Sequence, residues 1–265
     1  MIADRWPGEP AVSLSTGRGG SWRSLVEYGD LDVPRAWASV TKLVTSLAAA
    51  VEVEEGRASY DEPLGPEGST LAHLLAHASG LGLEEGDPVS APGARRVYSN
   101  IGIDLAARRL ARGDVAAWLR ERVTGPLGLE SLELRGRASE GLWGSTRDLA
   151  RFATQWVTPT LVSPERRDAT RSVFLPDLAG VVPGFGRFDP CPWGLGVQVR
   201  GPSHHWMGDW PATSFGHFGR SGALALVNVE EGLVLVATSS VDFGPWAKEL
   251  WPTWSSRLRE AALAS

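Results

Sequence analysis

The stretch Trp37-Ala38-Ser39-Val40-Thr41-Lys42-Leu43-Val44-Thr45-Ser46-Leu47 constrains this chain more than any other. Leu43, Val44, Leu47 and the alanines after them recur at helical spacing, and Gly56 is a natural stop. The pattern predicts a buried helix that starts at Ser39 and runs to about Glu55. Ser39 and Lys42 stand three residues apart in its first turn, a spacing that puts both side chains on one face. A hydroxyl at a helix N-terminus feels the positive end of the dipole, which favours a developing alkoxide. An amine one turn away can take its proton if burial lowers the amine's pKa.

Composition sharpens this pairing. The chain has 26 Lys plus Arg; only Lys42 and Lys248 are lysine, and the other 24 (26 − 2) are arginine. Lysine is the cation that can give up its proton near neutral pH, so its place beside a serine carries information. The net charge of −5, with no basic cluster, argues against nucleic acid as a partner. A single cysteine, Cys191, lies between two prolines; it excludes an internal disulfide and is expected in a loop. The first residues contain no apolar h-region, and no stretch is long and apolar enough to span a membrane. The expectation is a cytoplasmic protein with a small-molecule substrate and no membrane partner. Twelve tryptophans imply either aromatic packing or an aromatic pocket.

Taken in order, Ala11 to Ser15 and Ser24 to Tyr28 read as strands around the Gly-rich turn Thr16 to Gly20. Helical segments follow the Ser39 helix: Ser69 to Ala78, Asn100 to Arg112 stopped by Gly113, Val115 to Val123 capped by Asp114, Leu149 to Val157 behind a Ser145 capping box, and one opened by Ser163-Pro164. From Trp193 the texture changes. Gly194 to Arg200, Ser214 to Phe218, Ala223 to Val229 and Leu233 to Ser239 read as strands, with Glu230-Glu231-Gly232 turning the last hairpin. Trp246 to Leu263 closes the chain as a helix interrupted by Pro252. The expected fold is α+β: an antiparallel sheet from both chain ends, flanked by the first and last helices, with a helical subdomain over about 57–190 inserted in a single 1–265 domain.

Further segments fit the Ser39/Lys42 pair. Tyr98-Ser99-Asn100 sits at a loop-to-helix junction, where a hydroxyl can point into a cleft, and the chain has only three tyrosines. His217-Phe218-Gly219 lies on an apolar strand and is followed by Arg220. With His73-Leu74-Leu75-Ala76-His77-Ala78-Ser79-Gly80-Leu81, Pro92-Gly93 and Gly144-Ser145-Thr146-Arg147-Asp148, these segments stand in the order found in the β-lactamase-related serine hydrolases, which the chain resembles from Trp37 to Ser239. That family spans class C β-lactamases, D-Ala-D-Ala carboxypeptidases, D-aminopeptidases and β-lactamase-like esterases, and the resemblance implies the penicillin-binding-protein type of fold.

The resemblance implies Ser39 as nucleophile, with Lys42 and Tyr98 sharing the proton transfers. Asn100 would hold Lys42 and substrate. His217 takes the place where many relatives carry the lysine of Lys-Thr-Gly, and Gly219 ends that motif. The backbone N–H groups of Ser39 and Arg220 would form the oxyanion hole. No cofactor or metal is implied. His73 and His77 are four apart, but Leu74 stands where a zinc helix needs glutamate. His204-His205 and Arg95-Arg96 read as solvated loop residues, with the arginines able to steer an anion. Phe218 replaces the threonine that would bind a substrate carboxylate, and its ring either turns into the core or crowds the cleft. The activity expected first is an esterase working through an acyl-enzyme, then a D-amino-acid peptidase, then a β-lactamase. The rival from another class is a ligand-binding protein of the same fold without turnover.

Overall fold

The structure is a computed structural model that describes residues 6–17, 21–85, 90–202 and 205–264. Residues 18–20 of the first turn, Pro88 and His204 lie outside the described residues. Six strands form one antiparallel sheet: β1 (Ala11–Thr16), β2 (Arg23–Tyr28), β8 (Gln198–Val199), β9 (Phe215–Phe218), β10 (Leu224–Asn228) and β11 (Leu233–Thr238). Their order is β2-β1-β11-β10-β9-β8, so the two chain ends meet where β1 pairs β11 along its whole length, Ala11 opposite Thr238 and Thr16 opposite Leu233.

β10 and β11 are apolar at nearly every position and buried throughout, because both faces of the sheet are covered. Side chains alternate between the faces. Ala225, Val227, Val234 and Val236 join the core around the first helix, α1 (Thr41–Glu54), while Leu224, Leu226, Leu233 and Leu235 join the core under the last helix, α7 (Pro245–Leu263). α1 is buried on every side from Thr41 to Glu52, which explains why apolar residues occur on all its faces. Tryptophans supply much of the second core: Trp6 packs on Trp246 and Trp254 with ring centroids 5.2 and 4.9 Å apart.

The middle of the chain is the inserted helical part: α2 (Leu71–Leu75), α3 (Asn100–Ala111), α4 (Val115–Leu119), α5 (Thr146–Ala153) and α6 (Pro164–Arg171), with short strands β3 (Arg35–Ala36), β4 (Glu133–Leu134), β5 (Leu142–Gly144), β6 (Gly180–Val182) and β7 (Gly186–Phe188). Side-chain caps set the helix starts. Ser99, Asp114, Ser145 and Ser163 accept from the backbone N–H three residues on, at 2.9, 3.0, 3.0 and 3.1 Å.

Several elements differ from expectation. α3 is stopped by Arg112, itself left-handed at φ 53°, rather than by Gly113. α4 keeps only five residues before a π-type turn at Arg120–Thr124. Of Gly194 to Arg200, only Gln198–Val199 is strand, because Gly196 turns the chain at φ 86°. Arg96 is buried, its guanidinium donating to the carbonyls of Cys191, Ala76, Phe174 and Leu175, and is no surface charge. His205 is buried too, in ring contact with Phe188 and Trp206, rather than solvated. Among the described residues no helix is long and apolar enough to cross a membrane.

Candidate active site

Ser39 lies in a 3-10 turn, Ala38–Val40, that leads into α1. Ala38 is held at φ 45°, a left-handed conformation that costs a non-glycine residue energy and turns the chain sharply just before the serine. The end of β9 packs against this turn. A β-carbon on Gly219 would lie 2.4 Å from the Trp37 carbonyl and 3.2 Å from the Ser39 nitrogen, so only glycine fits. Among the described residues, neither the Ser39 nor the Arg220 backbone N–H has a hydrogen-bond partner.

Lys42 follows one turn into α1 and is fully buried. Its Nζ is 3.1 Å from Ser39 Oγ, 2.8 Å from Asn100 Oδ1 and 2.8 Å from the Ser139 carbonyl. It also stands over the Tyr98 ring, 4.8 Å from its centre. Burial lowers its pKa to about 7, against the upward pull of the Glu140 and Asp104 carboxylates. Asn100, the first residue of α3, turns its other end to Glu84: Nδ2 donates to Oε1 at 2.9 Å.

Tyr98 forms part of the cavity wall, and its hydroxyl meets both Ser39 and His217. Burial raises its pKa well above the ordinary tyrosine value, so the phenol stays protonated. His217, on β9, donates from Nδ1 to the Phe218 carbonyl at 2.7 Å, which leaves Nε2 as an acceptor 3.5 Å from the Tyr98 hydroxyl. Burial, then the nearby Lys42 charge, bring the His217 pKa down to about 3, so the ring is neutral. Phe218 packs among Phe185, Trp206, Phe243 and Trp251, and it and Phe243 also border the Ser39 cavity.

Ser39, Tyr98, Asn100, His217 and Arg220 thus line one cavity of about 310 Å³, with Lys42 behind it and Gly219 under the serine turn. All the residues expected at the site are brought together. The sequence reading missed its supports. Ser139 carries a carbonyl to Lys42, and Asp104 fixes Ser139 by accepting from its backbone N–H at 2.9 Å and its hydroxyl at 3.2 Å. Arg137 ties Glu84 to Glu140, with closest contacts of 2.8 Å to each. His77 accepts from the Ser99 N–H at 3.1 Å and packs its ring on Tyr98 at 4.6 Å, so it is a structural histidine. Asp104, four residues after Asn100 on an otherwise apolar helix face, had a signal that could have been read; Ser139, in a polar loop, had none. Among the described residues, no group of three or more His, Cys, Asp or Glu is placed to hold a metal ion.

A family model described as Beta-lactamase matches residues 30–254. The chain belongs to the β-lactamase family. The crystal structure of a β-lactamase from Mycobacterium bovis is 39% identical over 97% of this chain and 96% of that one, with a TM-score of 0.91. More distant members of the fold include a penicillin-binding-protein homologue from Caulobacter crescentus (19% identity, 99% and 94% of the two chains, TM-score 0.75) and a simvastatin synthase mutant from Aspergillus terreus (16%, 100% and 93%, TM-score 0.78). These two share the fold alone with the present β-lactamase-family chain. No curated protein matches it.

Proposed function

We propose that the chain is a serine hydrolase acting through an acyl-enzyme, with Ser39 as nucleophile and a small ester as preferred substrate. Membership of the β-lactamase family supports hydrolysis of this general kind. The observation that carries the assignment is the environment of Lys42 Nζ. A neutral amine has two N–H bonds and one lone pair. Asn100 Oδ1 and the Ser139 carbonyl can only accept, so they take the two N–H bonds. The third direction ends on Ser39 Oγ, a hydroxyl able to donate into the lone pair. With its pKa near 7, half of the amine is available as a base in neutral solution.

In this reading the Ser39 proton passes to Lys42 as Oγ bonds to the substrate carbonyl carbon. The carbonyl oxygen gains the negative charge and falls to the free N–H groups of Ser39 and Arg220, each worth about 3 kcal/mol in such sites. Tyr98, protonated, gives its proton to the leaving oxygen as the C–O bond breaks, and takes back the proton Lys42 received through water that enters the cavity as the alcohol leaves. Water then attacks the acyl carbon as Lys42 takes its proton, the bond to Oγ breaks, and that proton returns to Oγ, so the acid leaves and Ser39 is restored.

The β9 end supports an ester over a lactam or a D-Ala-D-Ala peptide. Those substrates bring a carboxylate beside the scissile bond, where this strand offers a neutral His217 and an apolar Phe218. An unpaired carboxylate loses hydration there with little return. One observation favours the β-lactamase reading as second: the exposed Arg220 lines the same cavity and can meet an anion. The test is side-by-side kinetics on an aryl acetate and a chromogenic cephalosporin. The expected kcat/KM ratio is at least about a hundredfold in favour of the acetate, or roughly 2.7 kcal/mol; comparable values would restore the lactamase. A fluorescent phosphonate should leave its adduct on Ser39, whereas a binder without turnover would remain unlabelled.

A further inference from the structure

A second cavity, of about 430 Å³, opens beside the one at Ser39. The two share Leu83, Tyr98 and Pro183 in their walls, so they meet across these residues. Val97, Ala179 and Val181 make the rest of the second cavity's apolar side-chain lining, and Arg95, Arg96 and Arg187 also border it. Arg95 and Arg187 are exposed. Arg187 pairs with Val181 across the β6–β7 hairpin, and Gly180 of that hairpin bridges Arg96.

Among the described residues, many arginines meet a carboxylate, as Arg137, Arg147, Arg166, Arg171 and Arg259 do. Arg95 and Arg187 have no hydrogen bond or ion pair among the described residues. The charges along the joined cavities are therefore divided. Glu84 and Glu140 stand in the wall of the Ser39 cavity, and two guanidinium groups without a partner among the described residues stand in the wall of the second cavity, which is otherwise largely apolar.

We infer that the second cavity is a substrate subsite for an anionic group remote from the scissile bond. The ligand class is an elongated ester with an apolar middle and a terminal carboxylate, the anion lying between Arg95 and Arg187. This rests on Ser39 as the acylated residue. The carboxylate can sit on the acyl arm or on the alcohol arm, and two substrate series distinguish them. One compares nitrophenyl hemiesters of succinate, adipate and suberate with their methyl-capped forms. The other compares aryl acetates carrying a propanoate side chain with the corresponding methyl propanoates. Each pair differs only in the remote charge.

In one of the two series, kcat/KM should favour the anion by about tenfold at low salt, through KM, and the preference should shrink as ionic strength rises. In the Arg95→Gln/Arg187→Gln double variant the ratio should fall to about one. A ratio near one in both series of the wild type, or a preference that survives the double variant, overturns the subsite. Binding of monomethyl suberate to the Ser39→Ala protein, followed by calorimetry with and without the two arginines, needs no turnover. Arginine-dependent binding with no ester hydrolysis would sink the esterase reading and keep the subsite. Absence of such binding, alongside ester hydrolysis with no charge preference in either series, would do the reverse.

Discussion

Lys42 gives the sharpest test of the proposed chemistry, because its charge can be changed by pH alone. An ordinary lysine, with a pKa near 10.4, is neutral to only about 0.04% at pH 7. Burial brings Lys42 down to about 7, so half of it is neutral there, a gain of roughly a thousandfold in available base. The sign follows directly. As pH rises through 7 the amine loses its proton, so acylation speeds up; as pH falls, the base is lost. With a pKa of 7 the neutral fraction goes from about 9% at pH 6 to about 91% at pH 8, and kcat/KM for a neutral aryl acetate should rise about tenfold over that interval. His217, already neutral over this range, contributes nothing to the limb. The profile should be taken on the free enzyme, after correction for spontaneous hydrolysis. Lys42→Arg keeps a cation that cannot be deprotonated, so it should lose nearly as much activity as Lys42→Ala. A profile flat between about pH 5 and 9, or Lys42→Arg activity within about tenfold of wild type, would refute the role of a neutral amine.

Three further outcomes are expected. Tyr98→Phe removes the hydroxyl that meets Ser39 and His217 and should lower turnover by roughly 10²-fold, with an unchanged melting temperature; a stable, fully active variant would remove Tyr98 from the proton path. Gly219→Ala drives a β-carbon into the Trp37 carbonyl, at 2.4 Å, where backbone must shift; kcat/KM should fall by about 10²-fold, with about 1–3 kcal/mol of destabilisation measured by denaturant unfolding. Asp104→Asn removes a charge that raises the Lys42 pKa, so the rising limb of the pH profile should move to lower pH, which a purely structural role for Asp104 would not produce.

The sheet and its covering helices were legible because their signals are local. Alternation along β1, turn residues at 230–232 and serine or aspartate caps act within a few residues of where they are read. The ordered motifs carried Ser39, Lys42, Tyr98, Asn100 and His217 to one place for a different reason: each matched a family pattern, and the pattern already contains the tertiary arrangement. What escaped was set by contacts between distant segments. Arg96 is an arginine in a loop by any local criterion; its place is fixed by carbonyl groups from about residue 76 and from 174 to 191, which only the packed chain brings around it. The same holds for Ser139, whose carbonyl matters and whose side chain says nothing of Lys42.

Phe218 marks the point where local reasoning could have gone further. Once His217 is placed facing Tyr98, strand alternation sends the next side chain to the other face of β9, toward α7. The aromatic residues that enclose it, Phe243 and Trp251, come from the last thirty or so residues, a region so rich in tryptophan that an aromatic core was one of two readings of the composition. Two facts in the chain therefore converge: the face follows from the period of the strand, and the occupant of that face follows from the composition of the terminal helix. The functional consequence is a site whose β9 wall presents an uncharged imidazole at His217, with the phenyl ring of Phe218 packed in the α7 core at the cavity's edge. Substrate charge is then left to Arg220 and to the two exposed arginines of the neighbouring cavity. Replacement of Phe218 by threonine would cost that core much of a buried aromatic, about 3 kcal/mol or more, before any hydroxyl could serve a substrate.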